Sequence, residues 1–166
     1  MKKFLSIILA MAIFTSFFGF NVSAVAYDKL HENEIVIIEM TEYLDDSSSI
    51  TTIITQQTSN ISTMSTTKTI TGSKTQTAKN SSGEVLYKFK VTGTFSVNVG
   101  ISSTCTAVSC SASDCTNGWA LDSSTTSKSG NTAKATGIFK KKTLFITTQT
   151  KEVSATLTCD KNGTLS

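Results

Sequence analysis

Four cysteines, one tryptophan and one histidine have the widest chemical range in this chain, and their spacing limits what they can do. Cys110 and Cys115 form a C-x4-C pair, Cys105 lies five residues before it, Trp119 follows, and Cys159 stands near the end. The spacing sits at the edge of zinc-ligand patterns, but no histidine accompanies it. His31 lies far away among acidic residues. C-x4-C is not the C-x-x-C of thiol redox sites, and the only histidine is far from every cysteine in sequence. HExxH, GxSxG and glycine-rich phosphate loops are absent. The acids Glu84, Asp114, Asp122, Glu152 and Asp160 stand singly, so no pair of carboxylates is spaced for glycoside hydrolysis. The expectation is a protein that is not an enzyme, with no catalytic, metal or cofactor-binding residue.

Binding is the chemistry that remains. Trp119 and Tyr87 are aromatics of the type that stack on sugar rings, although Trp119, just after a turn and near the cysteines, is the more natural core residue. Asn60-Ile61-Ser62, Asn80-Ser81-Ser82 and Asn162-Gly163-Thr164 match the glycosylation sequon, a frequent coincidence in a chain rich in Ser and Thr.

The compartment follows from the N-terminus. Lys2 and Lys3 precede an apolar stretch from Phe4 to Phe20, and small residues follow at Ser23, Ala24 and Ala26. This pattern predicts a secretory signal peptide over 1–24, cleaved after Ala24 or Ala26, and a secreted, extracellular product with no stable membrane anchor. All 15 basic residues are lysine, and 13 of them lie beyond residue 24 against 12 acids. Without arginine, bidentate phosphate and base readout is lacking, and nucleic acid is not an expected partner. Residues 25–46 hold seven acids against Lys29 alone. They form an acidic N-terminal leader or edge strand before a Ser/Thr-rich β domain over 47–166.

These residues must be positioned by strands. Ile35 to Ile38 and Ile50 to Thr55 are β-branched runs, and the Thr, Ser and Ile of 61–79 favour further strands over a low-complexity stalk. Asn80 to Gly83 is a turn. After it Val85, Tyr87, Phe89 and Val91 alternate with Leu86, Lys88, Lys90 and Thr92, the mark of a half-buried strand. Gly93 allows a bend or bulge, and the parity resumes through Phe95, Val97, Val99 and Ile101. Asn117-Gly118 signals a type I′ hairpin turn, and Ser129 to Asn131 another turn. Lys140 to Lys142 reads as a turn or solvated edge between the strands Thr132–Phe139 and Leu144–Thr150, with Val153–Cys159 last. Turn signals about every ten residues predict an all-β, antiparallel, immunoglobulin-like β-sandwich, with a small β-barrel as the alternative.

Four cysteines in an exported chain predict two disulfides, for which three pairings exist. Cys105 continues the odd-numbered face of Val97, Val99 and Ile101 if Ser102-Ser103 adds no bulge, and Cys159 that of Val153, Ala155 and Leu157. Both point to the core, so the expected pairs are Cys105 with Cys159 and, by elimination, Cys110 with Cys115. In the chain-entropy model the long bridge contributes about 4 kcal/mol and the short one about 2.

The order Cys105, Trp119, Cys159 resembles the Cys, Trp, Cys order of immunoglobulin domains, although Leu157 stands at the tyrosine-corner position. A second resemblance spans Thr71 to Ser166. The runs Lys79-Asn80-Ser81-Ser82-Gly83, Val91-Thr92-Gly93-Thr94-Phe95, Lys128-Ser129-Gly130-Asn131-Thr132-Ala133 and Leu157-Thr158-Cys159-Asp160-Lys161-Asn162-Gly163-Thr164-Leu165-Ser166 are similar to those of short secreted proteins of Gram-positive bacteria that carry no assigned activity. That resemblance implies export and an all-β fold. The functional expectation is a non-catalytic binding or surface-interaction module for an extracellular ligand, such as a glycan or a cell-envelope component, with a structural or self-associating extracellular or envelope protein, or a small secreted enzyme, as alternatives.

Overall fold

The computed structural model describes residues 34–44, 46–57 and 66–166. The expected signal peptide, His31 and the sequon at Asn60 lie outside the described residues. Eight strands follow in order: β1 (Glu34–Tyr43), β2 (Ser49–Gln57), β3 (Thr67–Lys79), β4 (Val85–Asn98), β5 (Ser102–Ser113), β6 (Trp119–Ser129), β7 (Thr132–Thr143) and β8 (Ile146–Thr158). They make two antiparallel sheets, of order β1-β2-β3-β4-β5 and β6-β7-β8. Every strand neighbours its predecessor or successor in sequence, so each sheet is a meander. That order differs from the Greek-key connections of an immunoglobulin domain. β5 and β6 lie side by side without a shared ladder, so the sheets do not close into one hydrogen-bonded barrel.

The alternation in β4 does most to build the core. Tyr87, Phe89, Val91, Phe95 and Val97 are buried on one face. Opposite them, β7 and β8 present Ala133, Ala135, Gly137, Phe139, Ala155 and Leu157, also buried. Large side chains of the five-stranded sheet thus meet mostly small ones of the three-stranded sheet, with Phe139 and Leu157 the exceptions. The fit is tight at Gly137, where an added Cβ would stand 2.8 Å from the Phe89 ring. At Gly93 it would stand 2.8 Å from the ring of Phe95 and 3.0 Å from Ala133. The chain end returns as well: Cys159 and Leu165 form a bridge, and Leu165 is buried over Gly72.

Several local expectations change. Gly93 sits within a continuous strand, and the register shift falls between Thr94 and Phe95, because the missing side chain serves packing across the core. Val99 and Ile101 leave the core face and are exposed at the β4–β5 turn. Asn117 and Gly118 both have positive φ, as a type I′ turn requires, yet they join strands of different sheets. Lys140 to Lys142 belong to β7, and the turn is Leu144-Phe145. β8 runs without a break where two strands were expected.

Gly137→Ala should lower stability by about 1–3 kcal/mol, the range for overpacking a filled core. Chemical denaturation checks this, with Gly83→Ala as a comparison, since an added Cβ there meets nothing within 4 Å and only its positive φ is strained.

Candidate functional site: a polar cleft with an aromatic floor

At one end of the molecule the core residues become large on both sides. Tyr87 of β4 stacks on Phe139 of β7 with ring centroids 4.1 Å apart and planes 15° apart. Trp119 lies 5.3 Å from Tyr87 at a 60° tilt, and Phe89 meets Phe139 edge-on at 5.9 Å. The register explains the grouping. Tyr87 pairs with Ala78, and Ala78 with Ile50, so one row crosses β4, β3 and β2. In the other sheet Trp119 pairs with Lys141, and Lys141 with Gln149.

Between these rows lies a cleft of about 500 Å³, a size suited to small ligands. Tyr87, Trp119, Leu86, Ile50, Ala78 and Val153 supply its apolar surface. Gln76, Asn80, Gln149, Lys79, Lys151, Asp46, Glu152 and several serines supply its polar groups. Both sequence-predicted aromatics are therefore brought together here. They are largely buried, so they form the floor of a cleft and not an exposed stacking platform.

The polar groups differ in their commitments. Ser48 donates to the Asp46 carboxylate through its hydroxyl and, at 3.0 Å, through its amide. The hydroxyl bond first, and the amide bond with it, hold that carboxyl below its usual range. The Asn80 amide is spent on its own turn: its oxygen accepts from Ser82 and Glu84 amides at 3.0 and 2.9 Å, and its nitrogen donates to Glu84 at 2.8 Å. The Gln76 side-chain oxygen is different, being buried with no hydrogen-bond partner. A buried acceptor in that condition is costly unless something donates to it. Sequence reading passed over Gln76 and the wall from β8, because neither carries a local signal. The other single acids have structural partners: Asp114 with Lys88 at 2.7 Å, Asp122 with Lys140 at 2.8 Å, and Asp160 with the amides of Asn162 and Thr164, both at 2.8 Å.

The cysteines lie elsewhere, and all four are free thiols. The expected pairs, Cys105 with Cys159 and Cys110 with Cys115, are not formed in the structure. Cys105 and Cys159 do face the core, as their parity predicts, and both hold the β6–β7 turn by backbone bonds: the Cys105 amide donates to the Gly130 carbonyl at 2.7 Å and the Cys159 amide to the Asn131 carbonyl at 3.1 Å. Each thiol turns to a nearby carbonyl, Cys105 Sγ to Ala107 at 3.3 Å and Cys159 Sγ to Asp160 at 3.6 Å. Cys110 is half-buried in β5 and Cys115 is exposed in the loop after it. No group of three or more metal-ligating side chains occurs among the described residues.

Burial pushes the thiols of Cys105 and Cys159 up from the ordinary range, and the Tyr87 hydroxyl likewise. For a group whose folded-state pKa is raised, the stabilisation is complete below the unfolded value and is lost as pH rises. Stability should therefore fall above about pH 8.5, where unfolded thiols ionise, with a further fall above about pH 10 from Tyr87. A Cys105→Ala/Cys159→Ala variant should lack the first fall and keep the second in denaturation followed against pH. No protein-family model, no curated protein and no solved structure matches the chain.

Proposed function

We propose that the protein is a secreted, non-catalytic binding module and that the cleft holds a small polyhydroxylated ligand, such as a sugar unit of an extracellular or cell-envelope glycan. Two packed antiparallel sheets support a β-sandwich scaffold for it. The observation that carries the reading is the unpartnered Gln76 oxygen in a cleft floored by Tyr87 and Trp119. Sugars offer hydroxyl donors at their rims and C–H faces that lie well on aromatic rings. Amide, carboxylate and lysine groups around that floor match the rims.

Two other readings each have one observation in their favour. Asp46 and Glu152 both line the cleft, which gives a hydrolytic reading two carboxylates. The bonds from Ser48 account for Asp46 as a turn residue instead. Self-association is favoured by β1, an edge strand with Ile35, Ile37, Ile38 and Met40 exposed. The Ser/Thr-rich run beginning at Ile50 gives it no support, since β2 is paired on both sides.

Calorimetry against a panel of soluble glycans tests the proposal. Gln76→Leu should weaken binding about tenfold or more, the cost of one lost buried hydrogen bond, while keeping or raising thermal stability because an unsatisfied acceptor is removed. No binding across the panel, or binding that Gln76→Leu leaves unchanged, overturns it. Product formation that Asp46→Asn abolishes transfers the site to the hydrolytic reading.

A further inference from the structure

The β7–β8 hairpin ends in the most exposed apolar group among the described residues. Leu144, Phe145 and Ile146 retain 86%, 100% and 68% of their accessible surface. Thr143 pairs with Ile146, so Leu144 and Phe145 alone make the turn, with φ of 49° and 69°. A two-residue turn with both φ values positive selects Asn-Gly, Asp-Gly or Gly-Gly. Bulky side chains there are strained and gain nothing from packing. Neither stability nor solubility accounts for a leucine and a phenylalanine at this place.

The setting of the tip is specific. The hairpin is tied down at Lys142, whose amide donates to the Gly118 carbonyl at 2.9 Å, and the chain beyond it stands in solvent. Lys140, Lys141 and Lys142 form a collar directly behind the apolar tip, and no acid occurs from Lys140 to Lys151. Asp122 neutralises Lys140, while Lys141 and Lys142 have no ion pair among the described residues. Lys141 stands in the same row as Trp119 and Gln149 of the cleft. The tip therefore begins three residues past that row, about 10 Å further out at strand rise.

We propose that this hairpin docks the protein on an anionic lipid surface, with Leu144, Phe145 and Ile146 inserted at the acyl boundary and Lys141 and Lys142 at the headgroups. Apolar groups at the point and cations one step behind reproduce the layering of a bilayer interface, and charge complementarity selects anionic lipid. A protein groove would take the apolar point but gives no reason for Lys141 and Lys142 to stand behind it without an ion pair among the described residues. Docking of this kind is peripheral and reversible, and it does not depend on what the cleft holds.

Co-sedimentation with vesicles of mixed phosphatidylglycerol and phosphatidylcholine tests it, alongside vesicles of phosphatidylcholine alone. The full chain should bind the anionic vesicles and lose binding as salt is raised. Phe145→Ser should weaken partitioning about tenfold or more, and Lys141→Gln and Lys142→Gln about fivefold each. A Leu144→Asn/Phe145→Gly variant supplies the residues that the turn prefers, so its melting temperature should hold or rise while vesicle binding disappears. Failure to sediment, equal binding to neutral vesicles, or full binding by the double variant overturns the proposal. So does a lipid-free dimer, seen by light scattering, that the double variant abolishes, since the tip then serves a second copy of the chain.

Discussion

The structure depends on how closely its two sheets approach. Phe89 reaches across to lie against Gly137, and the Phe95 ring covers the missing side chain of Gly93 beside Ala133. Alanines at 133, 135 and 155 complete a shallow surface that accepts the larger side chains of β4. Glycine is ordinarily a poor strand residue. Here its cost is offset because the missing side chain is the space that an aromatic ring fills, and dispersion contacts at that range carry much of the core energy. The same complementarity at Gly72 seats Leu165 and fixes the chain end against β3.

The unequal strand numbers then create the cleft. Five strands on one side face three on the other, and β8 is the last strand of the smaller sheet. Among the described residues, the end rows of β2 and β3 have no fourth strand above them. What stands there is a wall from Gln149 to Ser154 on one side and the β1–β2 turn on the other. Tyr87 and Trp119 close the floor, with Phe139 stacked on Tyr87 behind it, where small residues give way to large ones. Core packing and cleft formation are thus two consequences of one residue gradient along β7, from Ala133 to Phe139.

Hydroxyl-bearing residues allow this arrangement with few apolar residues. Thr51, Thr52, Thr55, Ser73 and Thr77 are buried in the larger sheet, and the pair Thr55 with Ser73 satisfies itself at 2.9 Å. Buried hydroxyls are tolerated when bonded. Gln76, in the same strand, breaks that rule at the cleft. The hairpin tip breaks another, with bulky residues at positive φ. Such departures gather at places where a surface meets something other than its own chain, and both lie toward the same end of the molecule.

The sequence by itself determined the all-β class, the turns at Asn80 to Gly83 and Ser129 to Asn131, the inward parity of β4, and the core-facing positions of Cys105 and Cys159. Each rests on interactions within a strand or a turn, which period-two alternation and positive-φ preferences express locally. Only the tertiary structure decided that the strands form two meanders, that Lys140 to Lys142 extend a strand, that Leu144-Phe145 turns, and that the thiols face nearby carbonyls. Tyr87 and Trp119 were legible as candidates, but Gln76 and the β8 wall were not. Their role arises from a row-to-row alignment across two sheets, set by register shifts and by which glycine lies beneath which ring. That information is distributed over residues far apart in the chain and has no local periodicity to announce it.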